Sequence, residues 1–530
     1  MALSISSQAL KALMDRGEPY ALFDVREHGE YNAGQIPWAT SLPRRQIEFR
    51  MADLVPVRST PVVVYDEGGE RARLAAGTLE RMGYARVSCL EGGLPAWVAA
   101  GCPTVTGVNV PSKDFGERVH LERHVPEIGP EELHARRQRG ERFVVLDART
   151  PEEYRRFCIP GGLNVPGGDL ILWADDLARD PSTTVVVNCA GRTRSIIGTQ
   201  ALRRLGLTNV LGLRNGTMGW LLAGLELERG SARESPGPSP ESRAGAEHLA
   251  TRVVAEERIP LVSVQELEAL RAGADRRTLY QIDVRSAAEY AAGHVPGFLW
   301  VPGGQAVQRT DDHIAVRSST IVFACDGKAR ATMAASWVRQ MGLQDVRVLE
   351  GGTRAWVESG RRLEVGVPQR PGWDLAEARA TLRSVSAADL CARLDAAGRP
   401  LVLDVGTSLE FDAGHVPGAR WLSRGWLELK IEALAPDKGR PIVITCPAGD
   451  HSTLAAATLR EIGYRDVSAL EGGVEAWKRG GRAVESSLAG AVTEPNDVVQ
   501  SASIKGDRAA MLRYLEWEIE LGKRYEAQAR

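Results

Sequence analysis

Four times along the 530-residue chain an apolar strand-like run ends in Asp, and the copies keep one register. The runs are Phe23-Asp24-Val25-Arg26, Leu146-Asp147-Ala148-Arg149, Ile282-Asp283-Val284-Arg285 and Leu403-Asp404-Val405-Gly406. Each continues to a Glu-aromatic pair (Glu30-Tyr31, Glu153-Tyr154, Glu289-Tyr290, Glu410-Phe411) and a Pro at 37, 160, 296 and 417. A loop position follows 42 residues after each Asp, at 66, 189, 325 and 446, and a Trp 31 residues later, at 97, 220, 356 and 477. Four copies without a net insertion mean one structural unit repeated in tandem.

Within each unit, strands such as Pro61 to Tyr65 and Val87 to Leu90 flank helical stretches such as Ala72 to Met82. Strand, crossover helix, strand is the pattern of an α/β fold, a parallel sheet flanked by helices on both faces. Sites in such folds lie beyond the carboxyl ends of the strands. The Asp-to-Asp spacing is 123, 136 and 121 residues, and the longest interval holds Ser231 to Gly245, rich in Ser, Pro, Gly and Arg. That stretch reads as a flexible linker dividing the units two plus two. The connector around Val110 to Glu117 carries Phe115, a candidate for docking on a domain surface. Met511 to Ala529 reads as a helix with Leu512, Leu515 and Ile519 on one face, expected to pack on the fourth unit or to form a dimer contact.

The chemistry concentrates in Cys189-Ala190-Gly191-Arg192-Thr193-Arg194, which follows Val185-Val186-Val187 and opens the helix-patterned stretch from Ser195. A thiol at a helix N-terminus beside two guanidinium groups is expected to be largely thiolate near neutral pH. Inward N–H groups in so short a loop form an anion cradle, able to hold a persulfide. The other loops differ. Asp66-Glu67-Gly68-Gly69-Glu70-Arg71 has no sulfur and is expected to be inactive. Cys325-Asp326-Gly327-Lys328-Ala329-Arg330 keeps a nucleophile, with Asp326 opposing and Lys328 and Arg330 favouring the thiolate, and is a candidate second site. Cys446-Pro447-Ala448-Gly449-Asp450-His451 loses one N–H at Pro447 and the Arg at its end, and is the weakest candidate. Asp147 and Arg149 read as a buried supporting pair and Trp220 as core. Cys158, where other units have His294 and His415, reads as inert, with sulfur relay from Cys189 as the alternative.

These residues, with Gly34-Gln35-Ile36-Pro37, Gly293-His294-Val295-Pro296-Gly297, Gly414-His415-Val416-Pro417-Gly418 and Leu90-Glu91-Gly92-Gly93, resemble the rhodanese domain of sulfurtransferases. The resemblance implies four tandem rhodanese-like domains plus a C-terminal helix. The divisions are 1–106 (inactive), connector 107–124, 125–230 (active), linker 231–258, 259–367, connector 368–382, 383–487 (degenerate loop), and an extension 488–530. It further implies a thiosulfate sulfurtransferase-type transferase. Cys189 is then the catalytic nucleophile, carrying sulfur as a persulfide from thiosulfate to cyanide or a low-molecular-weight thiol. Ala190, Gly191, Arg192, Thr193, Arg194 and Ser195 bind the substrate, and neither metal nor organic cofactor is needed. The alternatives are a sulfur-carrying or partner-binding scaffold, and a Cys-dependent phosphatase or arsenate reductase, whose loop is one residue longer.

A net charge of -2, from 66 basic and 68 acidic residues, argues against nucleic acid as a partner. Seven scattered Cys without metal-type spacing argue against a disulfide framework, and no apolar run is long enough to span a bilayer. The sequence thus reads as a cytoplasmic protein, with a homodimer as one expectation.

Overall fold

A computed structural model describes residues 3–233 and 235–529. It contains four five-stranded sheets of identical topology, each with strand order first, fifth, fourth, second, third. All named pairings are parallel. In the second domain the strands are Glu127–Ile128, Phe143–Asp147, Leu163–Asn164, Thr184–Asn188 and Val210–Leu213. The fourth strand, Thr184–Asn188, is the middle one, and its Val185, Val186 and Val187 are buried. A β-branched run covered on both faces is what a central parallel strand requires.

In the second and fourth domains the aspartate that ends the second strand ties that strand to its neighbour. Asp147 forms a buried ion pair with Arg149 at 2.6 Å and accepts from the Asn188 side chain at 2.9 Å. Arg149 also donates to the Phe157 carbonyl at 2.6 Å. The repeated Trp residues are core: Trp220 donates to the Glu226 carbonyl at 2.9 Å, and Trp97, Trp356 and Trp477 each donate to a carbonyl six residues on.

The segments between domains depart from expectation. The domains gather into two compact units, one of residues 1–108, 315–317 and 369–499, the other of 109–314, 318–368 and 500–530. The first domain therefore shares a unit with the fourth and the second with the third, not the first with the second. The reason lies in the expected flexible linker. Its residues Pro240–Glu257 form a helix that packs on helix Ala329–Gln340 of the third domain. Ala246, Leu249, Ala250 and Val253 are buried along it, and Ser242 Oγ accepts from the Asp175 N–H of the second domain at 3.1 Å.

The other connectors are helical too, over Val110–Arg123 and Leu375–Thr381, and each packs on the helix that opens at the loop of the domain it precedes. Phe115 is buried with its ring 5.9 Å from that of Trp337 in the third domain.

The C-terminal helix, Arg508–Ala529, packs on helix Val110–Arg123 and the second domain, not on the fourth. Its Met511 and Leu515 cluster with Met218, while Leu512 and Ile519 are 45% and 38% exposed. The buried face runs instead through Met511, Leu515 and Glu518, a face that hydropathy alone passes over.

Candidate active site

Each of the four loops leaves the carboxyl end of its middle strand and enters a helix. In the second domain Cys189 follows strand Thr184–Asn188, and helix Thr193–Arg204 begins four residues later. A glycine turn holds the loop from below. Thr217 N–H donates to the Cys189 carbonyl at 2.9 Å and Met218 N–H to the Ala190 carbonyl at 3.1 Å, so both carbonyls point away from the pocket. Gly216, at φ 53°, stands where a Cβ would collide with the Cys189 carbonyl. Gly93, Gly352 and Gly473 meet the same constraint in the other domains.

The socket these loops form is made of backbone N–H groups, and its contents differ from domain to domain. In the first domain it holds the domain's own carboxylate. Asp66 accepts from the N–H groups of Gly69, Arg71 at 2.8 Å and Ala72 at 3.2 Å. In the third domain Glu247, from the helix preceding it, accepts from Lys328 N–H at 3.0 Å and Ala329 N–H at 3.2 Å. In the fourth the thiol itself accepts, Cys446 Sγ lying 3.2 Å from Gly449 N and 3.3 Å from Ser452 N. In the second domain, among the described residues, no side-chain carboxylate accepts from the N–H groups of residues 190–194.

The charges around the loops differ as much. Arg194 is held by one carboxylate, Glu153, through two bonds of 2.6 and 2.8 Å. Burial opposes the Glu153 charge, but Arg194 prevails and holds it down at about 2. Arg330, at the corresponding place in the third domain, faces three: Asp169 at 2.9 Å, Glu289 at 2.7 Å and Asp326 at 2.8 Å. Burial, with Arg330 pulling the other way and Asp326 adding to it, pushes the Cys325 thiol up to about 12. His451, which stands in the arginine's place in the fourth domain, lies against Phe49 with ring centroids 4.5 Å apart. Burial drops its pKa to about 4, so it carries no charge near neutrality.

Two expectations for the Cys189 loop change. Arg192 does not face the thiol: its guanidinium pairs with Glu117 of the connector helix at 2.6 and 3.0 Å and bonds Asn215 at 3.3 Å. Cys189 is only 2% exposed, and burial pushes its thiol above the ordinary value despite Arg194 and Ser195. The closed loop thus holds a thiol, not a resting thiolate. Ser195 stands 3.5 Å from Sγ, and Asp147 and Arg149 lie behind the loop, fixing the strand that carries it. Cys158 is fully buried in its own domain, at the bridge position shared with His294 and His415. Lys328 contributes its backbone N–H to Glu247.

Sequence reasoning named the repeated Glu without assigning it work. It does two things: as the third residue of a helix it closes a capping box with Thr150, Ser286 or Thr407, and in three domains it also grips the arginine that ends the loop. The Ser/Thr-x-x-Glu pattern was the available signal. Glu117, Glu247 and Glu518 had none, because they reach their loops from segments that do not repeat.

Among the described residues no cluster of three or more His, Cys, Asp or Glu is arranged to hold a metal ion, all seven Cys are free, and no helix is long and apolar enough to cross a membrane. The second domain thus presents a buried cysteine at the carboxyl end of a central parallel strand of an α/β fold, with an N–H socket and Arg194 beside it. Comparison with known proteins goes further. The rhodanese-like domain is matched at residues 6–100, 129–223, 263–359 and 386–480. A crystal structure of a thiosulfate sulfurtransferase from Pseudomonas aeruginosa is 36% identical and superposes with a TM-score of 0.89, over 99% of this chain and 97% of that one. A sulfurtransferase of Allochromatium vinosum is 36% identical over 105 residues, 20% of this chain and 96% of its own. A Mycobacterium tuberculosis protein named putative thiosulfate sulfurtransferase is 28% identical over 209 residues, 32% of this chain and 72% of its own. The chain belongs to the rhodanese family, as a sulfurtransferase with four tandem domains.

Proposed function

We propose that this sulfurtransferase takes sulfane sulfur from thiosulfate onto Cys189 as a persulfide and passes it to a thiol or to cyanide. The observation that carries the reading is the socket of the second domain: its loop N–H groups hold no carboxylate, whereas those of the first and third domains do. Thiosulfate as donor follows the names of the Pseudomonas and Mycobacterium relatives.

In the first half-reaction the Cys189 thiolate attacks the outer sulfur of thiosulfate. An S–S bond forms to Cys189, the bond between outer sulfur and the sulfonate breaks, and sulfite leaves with the electron pair. The new terminal sulfur carries the negative charge, and the N–H groups of Ala190, Gly191, Thr193, Arg194 and Ser195 stabilise it. Arg194 adds long-range attraction, and Arg192, tied to Glu117, fixes the loop's backbone. In the second half-reaction an acceptor thiolate or cyanide attacks the terminal sulfur, and the Cys189 thiolate is released. No external oxidant is needed. Because burial raises the Cys189 thiol, the first half-reaction accelerates as pH rises.

Cys325 and Cys446 are read as structural thiols, and Asp66 as an internal substitute for the bound anion. The reading is tested by thiosulfate-dependent formation of thiocyanate from cyanide. Wild-type protein turns over and Cys189→Ser does not; turnover undiminished in Cys189→Ser assigns the reaction to another cysteine.

A further inference from the structure

The mouth of the Cys189 loop is covered by polar side chains that the reaction above does not use. Glu518 of the C-terminal helix is 1% exposed, and its Oε1 accepts from the Tyr514 hydroxyl at 2.9 Å and lies 3.5 Å from Thr193 Oγ1. Its Oε2 has no hydrogen-bond partner among the described residues. That oxygen is aimed at the loop: a Cβ on Gly191 would lie 2.8 Å from Oε2 and 3.3 Å from Tyr514 Cε1. Lys113, the nearby cation of the connector helix, is engaged over the rings of Tyr514 and Trp517, its Nζ 4.8 Å from each centroid. A helix that merely sealed the loop would do so with apolar side chains, since a buried carboxyl oxygen without a partner is costly. An anion held beside Gly191 would lie close to this oxygen.

We propose that Glu518 is a specificity-determining residue of the Cys189 site, selecting sulfur donors by charge. Ionised, it disfavours a dianionic donor relative to a monoanion of the same shape; protonated, it offers the anion a hydrogen bond. This rests on the reading of Cys189 as the sulfur-accepting thiol. The groups facing Glu518 are Lys113 and Glu117 of the connector helix, Cys189 and Arg192 of the loop, and Tyr514 of its own helix, which Arg194 in turn faces. Burial raises the Glu518 carboxyl, and Lys113 opposes that shift. The carboxyl therefore keeps its proton to higher pH than an exposed one, and the discrimination against dianions grows as pH rises through its titration.

The experiment uses the full chain and reads the rate of persulfide formation on Cys189 by mass spectrometry. The donors are thiosulfate, a dianion, and methanethiosulfonate, a monoanion of matching shape that transfers its outer sulfur and releases methanesulfinate with the electron pair. Glu518→Gln should raise the thiosulfate-to-methanethiosulfonate rate ratio about fivefold or more at pH 9, with the gain shrinking as pH falls. Glu518→Met, which removes charge and hydrogen bonding together, should shift the ratio the same way at pH 9, and thermal melts check that both variants fold. An unchanged ratio in both variants at every pH, or an equal loss with both donors at an unaltered melting temperature, overturns the proposal while leaving Cys189 in place. Failure of wild-type Cys189 to gain sulfur from either donor overturns the reading of the site, and this inference with it.

Discussion

The second and third domains share a unit, a topology and a cysteine at the same register, yet the surroundings of their loops differ. Around Cys189 the N–H socket holds no carboxylate and one carboxylate balances Arg194; around Cys325 Glu247 sits on the socket and three carboxylates surround Arg330. On the proposed reading, a cysteine at this position does not by itself make a site; what matters is whether the donors that would stabilise its persulfide are already satisfied. The first domain carries the same logic further, with Asp66 in the place of the thiol and its own carboxylate in the socket.

The comparison breaks most directly at the thiols. Cys189→Ser should lower sulfur transfer by a factor on the order of 10³ or more, as removal of a covalent nucleophile does, whereas Cys325→Ser stays within about twofold of wild type. Comparable losses in both variants, read as thiocyanate formation, would erase the distinction between the domains. Arg194→Ala removes a guanidinium that faces Cys189 and should slow persulfide formation about 10²-fold in stopped reactions, the scale of losing one charge-stabilising donor.

A stability effect sharpens the contrast with the first domain. Asp66→Ala leaves the Gly69, Arg71 and Ala72 N–H groups without their acceptor and should cost about 1–3 kcal/mol in urea unfolding. Cys189→Ala, whose socket holds no such acceptor, should cost less. The smallest effect concerns reagents. With its thiol pushed up to about 12, Cys325 should resist iodoacetamide at pH 8, and reactivity should appear only as pH climbs toward that value. Glu247→Gln weakens the contact on the Lys328 and Ala329 N–H groups and should raise the Cys325 alkylation rate a few-fold, about the effect of losing one charged acceptor.

The fold was legible because it is written four times: the Asp, the loop and the Trp recur at constant spacing, and each position has the same structural reason in every copy. The loop position of Cys189 was legible for the same reason, since it recurs at the carboxyl end of the middle strand in every copy. Features confined to unrepeated segments were not. Ser231 to Gly245 has the composition of a linker, but the decisive signal lay just beyond it, in Ala246, Leu249, Ala250 and Val253 at helical spacing. The C-terminal helix was assigned by Leu512, Leu515 and Ile519, of which only Leu515 is buried, while its buried face also carries Met511 and Glu518, the latter reaching a loop 325 residues away along the chain. The expected thiolate failed on this point: local charge favours it, but burial by distant helices outweighs one arginine, and Arg192 is drawn off by Glu117.

The central claim is that one cysteine of seven accepts sulfur, and the direct test is peptide mapping of the full chain after incubation with thiosulfate. A gain of about 32 Da, one sulfur atom, on Cys189 with Cys325 and Cys446 unmodified is the predicted result. Sulfur on Cys325 or Cys446 to the same extent would contradict it, because neither Glu247 on the third domain's socket nor the replacement of the loop arginine by uncharged His451 in the fourth would then bar persulfide formation.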